Sequence, residues 1–319
     1  MKMESTTPDL RQYRVSVCIP TCRRPQLLRA TLASIATQRF ERDQAPRIEV
    51  LVADNDEAGA GLDVVSELSA DFPWPLRGLR EPIRGISFAR NTLVAAASES
   101  SYVAFIDDDE TADPHWLQEL LKAAVRSGAQ ATLGPVSAQF EATPPAWLRP
   151  FFDDLDLPDG AQLPEGSFRT SNVLLEMNTL AAIPGPFDPA FALTGGSDYM
   201  LGQELRARGG RFVWARNAVV SETVPASRTT LRWYMQRRFR TGMTFAMAQR
   251  RVQGPLRGAL RGAYRGAGSL AVGSLGLVQG VVGSRAQLAE AAGLVAYGVG
   301  NLAGATGEHY EEYRTVHGR

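Results

Sequence analysis

An α/β fold with a mostly parallel sheet flanked by helices is the fold class that the sequence predicts. Between Val15 and Val136, short apolar runs alternate with longer amphipathic segments, as in strands joined by helices. Polar or acidic residues directly follow several apolar runs, where parallel sheets place ligands. The 319 residues are 44% hydrophobic and 21% charged, an ordinary globular composition that suffices for one large domain or two smaller ones.

The first half of the chain is predicted to contain βα units in series. The predicted strands are Val15–Ile19, Ile48–Ala53, Tyr102–Ile106 and Ala131–Val136. The predicted helices are Pro25–Gln38, Leu62–Phe72, Ser87–Ser98 and Pro114–Ser127. These units predict a doubly wound half over about residues 14–136, with its ligand at the carboxyl ends of the strands.

The second half is predicted to be less regular. Residues 137–167 mix Pro, Gly, acidic and aromatic residues, and such long loops are often functional. Beyond this loop, the predicted strands are Phe168–Glu176, Arg211–Ala215 and Ala218–Ser221. The predicted helices are Ser197–Arg208 and Thr229–Arg250.

The composition changes sharply at Gly254 to Gly, Ala, Leu and Val. A four-residue repeat, GPLR-GALR-GAYR, places Arg257, Arg261 and Arg265 on one basic stripe of a helix, and an uncharged stretch of eighteen residues follows. We expect residues 251–319 to form a helical region at the interface of an anionic membrane. The alternatives are a small-residue helical hairpin packed on the enzyme body or on a second subunit of a homo-oligomer, and a true membrane span.

Charge, cysteine content and the amino-terminal residues exclude several classes. Lys plus Arg equals Asp plus Glu at 34 each, which gives no indication of a nucleic-acid partner. Cys18 and Cys22 are too few for a disulfide framework and lack the spacing of a redox pair. Because the first residues carry no apolar signal segment, we expect a cytoplasmic protein.

The strongest chemical signal is YVAFIDDDE, in which an apolar strand leads directly into Asp107, Asp108 and Asp109. Clustered carboxylates repel one another, so a cation is expected to offset their charge. Oxygen ligands of this kind suit Mg²⁺ or Mn²⁺, with substrate phosphates completing the coordination. Asp113, by contrast, is expected to cap the helix that begins at Pro114.

Two other strand ends carry similar side chains. Asp54 follows the apolar strand in IEVLVADNDE and could accept hydrogen bonds from a base or a ribose. Thr21 follows the first strand in IPTCRRP. Three polar strand ends in one sheet predict a shared ligand site.

The set VSVCIPTCRRP, VLVADND, GISFARN, FIDDDE and GGSDYMLGQELRARG, in this order, resembles glycosyltransferase family 2 with the GT-A fold. Within that family the resemblance is greatest to bacterial exopolysaccharide glucosyltransferases of the succinoglycan type, and it covers about residues 14–245. It implies a glycosyltransferase domain at residues 1–250, with a nucleotide-binding half at 14–136 and an acceptor-binding half at 137–250.

The resemblance also implies roles for single residues. Thr21 and Asp54 match positions that contact the uracil and ribose of a UDP-sugar, and Arg90 matches a contact to the diphosphate. Asp108 and Asp109 match the acidic pair of the family, with Asp109 as the direct metal ligand, Asp108 on the nucleotide side and Asp107 beside them.

The catalytic base implied by the resemblance is Asp198. The family pattern has Glu-Asp where this chain has Ser197-Asp198, so the base is retained while its surroundings differ. The residues alone fit equally well a carboxylate at the start of a helix.

Several later residues are further candidates. Glu222 follows a short strand and is a candidate metal or supporting ligand, with structural pairing as the alternative. Arg237 and Arg238 suit phosphate through their guanidinium groups, and a solvated face or lipid headgroup is the alternative. Three aromatic residues fit sugar stacking, lipid contact or core packing, namely Trp147, Phe151 and Phe152. Three histidines lack the spacing of metal ligands and receive no catalytic role, namely His115, His309 and His317.

The resulting hypothesis is an inverting, metal-dependent transfer of a hexose from a UDP-sugar to a lipid-linked saccharide or glycolipid. The alternatives are nucleotidyl transfer and a non-catalytic nucleotide or membrane adaptor. Nucleotidyl transfer would be expected to show a Gly-rich phosphate loop after the first strand, and CIPTCRRP contains no glycine. The sequence does not favour a dinucleotide oxidoreductase, because no G-x-G-x-x-G follows that strand.

Overall fold

The computed structural model describes residues 8–41, 44–280 and 283–307. The strands are β1 (Arg14–Thr21), β2 (Arg47–Asp54), β3 (Leu76–Arg80), β4 (Tyr102–Phe105), β5 (Glu110–Ala112), β6 (Ala131–Leu133), β7 (Val136–Phe140), β8 (Val173–Glu176), β9 (Phe212–Trp214) and β10 (Val220–Val224). The helices are α1 (Pro25–Ala36), α2 (Ala60–Leu68), α3 (Ile86–Ala96), α4 (Trp116–Ser127), α5 (Met177–Ala181), α6 (Ser197–Ala207), α7 (Leu231–Gln253), α8 (Pro255–Gly280) and α9 (Arg285–Thr306). His309 and His317 lie outside the described residues.

A seven-stranded sheet forms the centre of the molecule, in the order β3-β2-β1-β4-β8-β6-β9. The pairs of β1 with β2 and β4, of β2 with β3, and of β6 with β9 are parallel, whereas β8 runs antiparallel to both neighbours. The predicted α/β class with a mostly parallel sheet is therefore confirmed. A second sheet of three strands has the order β5-β10-β7.

Alternating side chains of the strands build two cores on the two faces of the large sheet. Val15, Val17 and Ile19 of β1 belong to one core, with apolar residues of α1, α2 and α4. Cys18 belongs to the other core, with apolar residues of α3, α5 and α6. Because both faces are covered, the ligand site must lie at an edge of the sheet.

Three strands, β3, β5 and β7, were not predicted from the sequence because they lack apolar runs. β3 lies at one edge of the large sheet and exposes most of its side chains, and β5 and β7 belong to the small sheet. The predicted cap at Asp113 was wrong, because α4 begins at Trp116 and its N-cap is His115, which makes no side-chain capping bond. Asp113 instead offers its backbone carbonyl to the Trp116 N–H.

The last three helices pack against one another through small residues. The buried positions of α8 are all glycines, namely Gly258, Gly262, Gly266, Gly273 and Gly280. Glycine and alanine also dominate the buried positions of α9. α8 and α9 thus form a hairpin that packs on α7, which agrees with the alternative of a small-residue helical hairpin packed on the enzyme body. Within the described ranges, no helix combines the length and the apolar character that a membrane crossing requires.

Candidate functional site

A cavity of about 760 Å³ opens at the carboxyl ends of β1, β2 and β4. Thr21, Asn55 and Asp107 reach it from those three strand ends. Residues of α6, α7 and α9 line it as well, so the carboxyl-terminal helices share the cavity with the sheet. This is the place where open α/β sheets bind their ligands.

The acidic run at the end of β4 is held by a hydroxyl and an arginine. The Thr21 hydroxyl donates a hydrogen bond of 2.7 Å to Asp108 Oδ2. Arg24 Nη1 lies 3.0 Å from Asp108 Oδ1 and 3.0 Å from Asp109 Oδ2. Arg24 lies three residues after the end of β1 and received no role from the sequence, since a loop side chain has no fixed direction before folding.

A second arginine joins the acids from the small sheet. Arg228, in the short 3-10 helix at Ala226–Arg228, forms an ion pair with Glu222 of β10 and lies 3.8 Å from Asp109 Oδ2. Glu222 also stands opposite Glu110 in the β10–β5 ladder. Like charges opposite each other destabilise a sheet, and Arg228 offsets this repulsion.

Burial perturbs the acids strongly. It raises the pKa of Asp108 to about 7, against the lowering effect of Arg24. Burial also raises the pKa of Glu110 well above its usual range, and the charge of Asp107 adds to this. Desolvation, followed by the charge of Asp109, raises the pKa of Glu222. Carboxyl groups in this state favour either protonation or a nearby cation.

Arg90 reaches the cavity from α3. Its Nη2 lies 3.5 Å from Asp107 Oδ1, and its guanidinium group lies 5.7 Å from the centre of the Phe187 ring. The Arg90 Nε is buried and makes no hydrogen bond to any described residue. A buried donor without a partner costs free energy, so a bound anion would satisfy it.

Asp198 is presented to the cavity at the start of α6. Gly195 and Gly196 precede it with φ values of +76° and +100°, a conformation that favours glycine. A side chain at Gly196 would overlap the methyl group of Thr244 on α7. Asp198 Oδ1 accepts a hydrogen bond of 2.8 Å from the Tyr199 N–H. The glycine turn therefore packs the start of α6 against α7, and Asp198 in the first turn of this helix lines the cavity.

Asp54 caps a helix instead of lining the cavity. Its carboxylate is fully buried and accepts hydrogen bonds from the backbone N–H groups of Asp56, Gly61 and Leu62, two of them in the first turn of α2. The neighbouring Asn55 lines the cavity. A direct contact of Asp54 with the nucleotide thus remains a prediction, while its visible role is to shape the loop after β2.

The two arginines predicted to bind phosphate separate in the structure. Arg237 lines the cavity, together with Arg240 one turn further along α7. Arg238 does not line it, because its guanidinium group packs 5.3 Å from the centre of the Tyr297 ring. The helical spacing accounts for this difference, since adjacent residues of a helix point in directions about 100° apart. A phosphate contact of Arg238 remains a prediction.

The carboxyl-terminal hairpin contributes a residue that sequence analysis missed. Tyr297 of α9 lines the cavity, and its hydroxyl lies 3.0 Å from Arg265 Nε. The Arg265 guanidinium group also lies 4.6 Å from the centre of the Phe245 ring on α7. Arg265, the third arginine of the predicted basic stripe, therefore ties the three last helices together beside the cavity.

The residues present suit a divalent cation that is completed by a ligand. Among the described residues, no three His, Cys, Asp or Glu side chains are arranged to hold a metal ion by themselves. Asp109 nevertheless offers carboxylate oxygen inside the cavity, with Glu222 joined to it through Arg228. One or two carboxylates plus substrate phosphates are the usual ligands of Mg²⁺.

Solved structures share this architecture. One is a mannosyltransferase from Pyrobaculum calidifontis in complex with GDP-Man and Mn²⁺, with 20% sequence identity and a TM-score of 0.59. The match covers 94% of this chain and 91% of the mannosyltransferase chain. TarS 1-349 of S. aureus in complex with UDP is 15% identical, covers 93% of each chain and has a TM-score of 0.51. The fold is thus the GT-A fold of glycosyltransferases.

Sequence comparison gives the family. Residues 16–184 match the family described as Glycosyl transferase family 2. The chain is also 34% identical over 230 residues to the succinoglycan biosynthesis protein ExoM of Rhizobium meliloti (strain 1021), which covers 72% of each protein. The chain therefore belongs to glycosyltransferase family 2.

Proposed function

We propose that this enzyme transfers a hexose, with inversion, from a UDP-sugar to a lipid-linked saccharide or glycolipid during surface polysaccharide assembly. The relative named for succinoglycan biosynthesis supports the pathway, and the UDP complex of TarS supports the nucleotide. GDP-Man in the other structural relative makes a guanosine donor the alternative to be tested.

One observation carries the proposal, namely that Asp198 and the acidic run share one cavity. Desolvation raises the pKa of Asp107, Arg90 lowers it, and the charges of Asp109 and Asp198 raise it again. The Asp198 carboxylate is therefore near enough to the acidic run to interact with it. Transfer of a sugar requires this pairing of a donor site with a base, because the acceptor hydroxyl loses its proton as it attacks.

Different side chains act on the acceptor hydroxyl and on the departing diphosphate. Asp198 accepts the proton of the acceptor hydroxyl on the face opposite the leaving group. Arg90 and Arg237 donate hydrogen bonds to the diphosphate that departs, and Thr21 holds Asp108 in place. Asp109, with Glu222 as a supporting ligand, would hold an Mg²⁺ or Mn²⁺ ion, which would supply positive charge to the same diphosphate.

Donor hydrolysis tests the chemistry. UDP-glucose, UDP-galactose and GDP-mannose are incubated with Mg²⁺ or Mn²⁺, and the nucleoside diphosphate released is measured for the wild type, Asp109→Ala and Asp198→Asn. We expect Asp109→Ala to lose metal-dependent turnover, and Asp198→Asn to lose about 10²–10⁴-fold in rate while it still binds UDP.

The exposed Asp113 provides a matched control, because Asp113→Asn removes a carboxylate of the same region without touching the cavity. Metal-independent turnover, or wild-type rates in both cavity variants, would refute the mechanism. If only GDP-mannose were hydrolysed, the donor would be a GDP-sugar and not the proposed UDP-sugar.

We further propose that the enzyme is cytoplasmic and attaches peripherally to an anionic membrane through α8. Leu256, Leu260 and Tyr264 are 72%, 63% and 84% exposed and follow one another at helical spacing. Arg257 and Arg261 lie beside them, and α8 contains no acidic residue. Exposed apolar side chains flanked by arginines suit the interface of an anionic leaflet.

Sedimentation with liposomes tests this attachment. The double variant Arg257→Ser/Arg261→Ser is expected to lose about 30-fold in affinity for phosphatidylserine vesicles, since each of the two basic side chains contributes about 1 kcal/mol near such a surface. Neutral phosphatidylcholine vesicles are the control. Unchanged sedimentation would refute the attachment, and a concentration-dependent dimer that buries these residues would assign the face to a second copy.

A further inference from the structure

A cluster of aromatic rings lines the cavity on the side of the small sheet. Phe151, Phe152 and Trp233, which we call the aromatic wall, all line the cavity. Trp233 stacks on Phe152 with ring centres 5.5 Å apart and planes at 11°, and Phe151 meets both rings edge-on. Phe151 is 36% exposed, a high value for a large apolar side chain inside a recess.

The wall stands beside the acids. Phe140, at the end of β7, packs edge-on against Phe152 with ring centres 5.2 Å apart. β7 pairs directly with β10, in which Glu222 is aligned with Ala138. Trp233 follows Arg228, the partner of Glu222 and Asp109, within a few residues of the chain. The aromatic wall therefore adjoins the acids through the small sheet and Arg228, whereas Thr21, expected to contact the nucleotide, adjoins them at Asp108.

Polar groups next to the rings discriminate between possible occupants. Asp153 lines the cavity beside Phe152. Thr170 also lines the cavity, next in the chain to Arg169, which pairs with Asp154. Its hydroxyl is almost fully buried and has no hydrogen-bond partner among the described residues. An acyl chain would leave this hydroxyl unsatisfied at a cost in free energy, whereas a sugar hydroxyl would satisfy it. Flat rings and a few polar groups together suit a pyranose ring, which has apolar C–H faces and a hydroxyl rim.

We infer that the aromatic wall, with Asp153 and Thr170, binds the saccharide of the acceptor. This inference rests on the proposed function, and it adds that a hexopyranose ring, and not the lipid, is what this part of the cavity recognises. Trp147 is not part of the subsite, since it contacts Tyr234 at 5.7 Å behind the wall and does not line the cavity.

Binding without turnover tests the inference. Cellobiose, lactose and maltose are titrated into the UDP-saturated enzyme by calorimetry, with dodecylphosphocholine as a probe that has an alkyl chain and no sugar. We expect at least one disaccharide to bind, and Phe151→Leu to weaken that binding by about three- to tenfold by loss of the aromatic face. The Kd of UDP is expected to stay within about twofold.

Matched variants keep the test decisive. Trp147→Leu removes an indole of the same cluster outside the cavity and is expected to leave disaccharide binding unchanged. Asp153→Asn, on the exposed side of the wall, is expected to weaken it without disturbing ring packing. The inference is overturned if no disaccharide binds, if only dodecylphosphocholine binds, or if Phe151→Leu weakens UDP instead.

The outcome is separable from that of the proposed function. An enzyme that binds disaccharides through the wall but releases no UDP from any donor would contradict the proposed function and retain the subsite. An enzyme that hydrolyses UDP-sugars but binds no disaccharide would support the proposed function and contradict the saccharide subsite.

Discussion

Single carboxylates in this cavity work against the stability of the fold. Asp108 is 5% exposed, with Arg24 and Thr21 as its partners, and burial still raises its pKa to about 7. The neighbouring Asp109 adds negative charge to the same place. A raised pKa of this kind is typical of carboxyl groups in functional sites, whereas a structural ion pair lowers the pKa of its acid.

Asp108→Asn is expected to stabilise the metal-free protein at pH 8. In the unfolded chain this carboxyl ionises near pH 4, and in the folded chain near pH 7, so unfolding becomes easier as the pH rises between these values. Removing the ionisation should therefore raise the free energy of unfolding by roughly 1–3 kcal/mol at pH 8 and change it little at pH 4. Urea unfolding with EDTA at both pH values measures this, and a loss of stability at pH 8 would contradict it.

At the scale of elements, α7 and α9 approach each other so closely that backbone touches backbone. A Cβ at Gly300 would overlap the carbonyl oxygen of Phe239, and one at Gly242 would overlap that of Tyr297. Small residues at such positions let two helices pack with few side chains between them. The same contact carries Tyr297 to the cavity.

Gly300→Ala is expected to destabilise the protein by about 1–3 kcal/mol, because the added methyl group must separate α7 from α9. Gly268 of α8 is a matched control, since nothing lies within 4 Å of its added Cβ. Gly268→Ala should stabilise by up to about 1 kcal/mol through helix propensity. Thermal unfolding of both variants measures the difference, and equal shifts would show that the contact is not tight.

The sequence predicted those elements whose burial leaves a local pattern. β1, β2 and β4 are buried on both faces, so each reads as an apolar run followed by a polar strand end. β3 has only Leu76 buried and left no such run. Arg24, Arg228 and Tyr297 reach the site through contacts distant in sequence, and no local pattern encodes the partner of a long side chain.

At the scale of the whole molecule, the last helices belong to the same body as the cavity. α7 supplies Arg237 and Thr244 to the cavity, and α9 supplies Tyr297. Arg265 connects α8 to both. A membrane attachment through α8 would therefore act on a segment that is continuous with the cavity wall.

Deleting residues 255–319 is expected to abolish donor turnover as well as membrane binding, because it uncovers the buried face of α7 and removes Tyr297. Limited proteolysis should then cleave within α7, which the full-length protein protects. The double variant Arg257→Ser/Arg261→Ser is the comparison, since it changes only exposed side chains of α8. A truncated protein that remained folded and active would show that the hairpin is a detachable anchor.

The glycine turn at Gly195 and Gly196 lies beyond residue 184, where the match to the family ends. Asp198, the aromatic Trp233 and Tyr297 all come after it, whereas Thr21, Arg90 and the acidic run come before. Under the proposed assignments, neither side of that boundary serves one substrate alone, because Phe151 and Phe152 of the aromatic wall come before it and Arg237, assigned to the diphosphate, comes after it. A mutagenesis library that seeks new recipients would therefore vary the aromatic wall and Asp153 on both sides of the boundary, and would leave Asp198 and Arg237 unchanged.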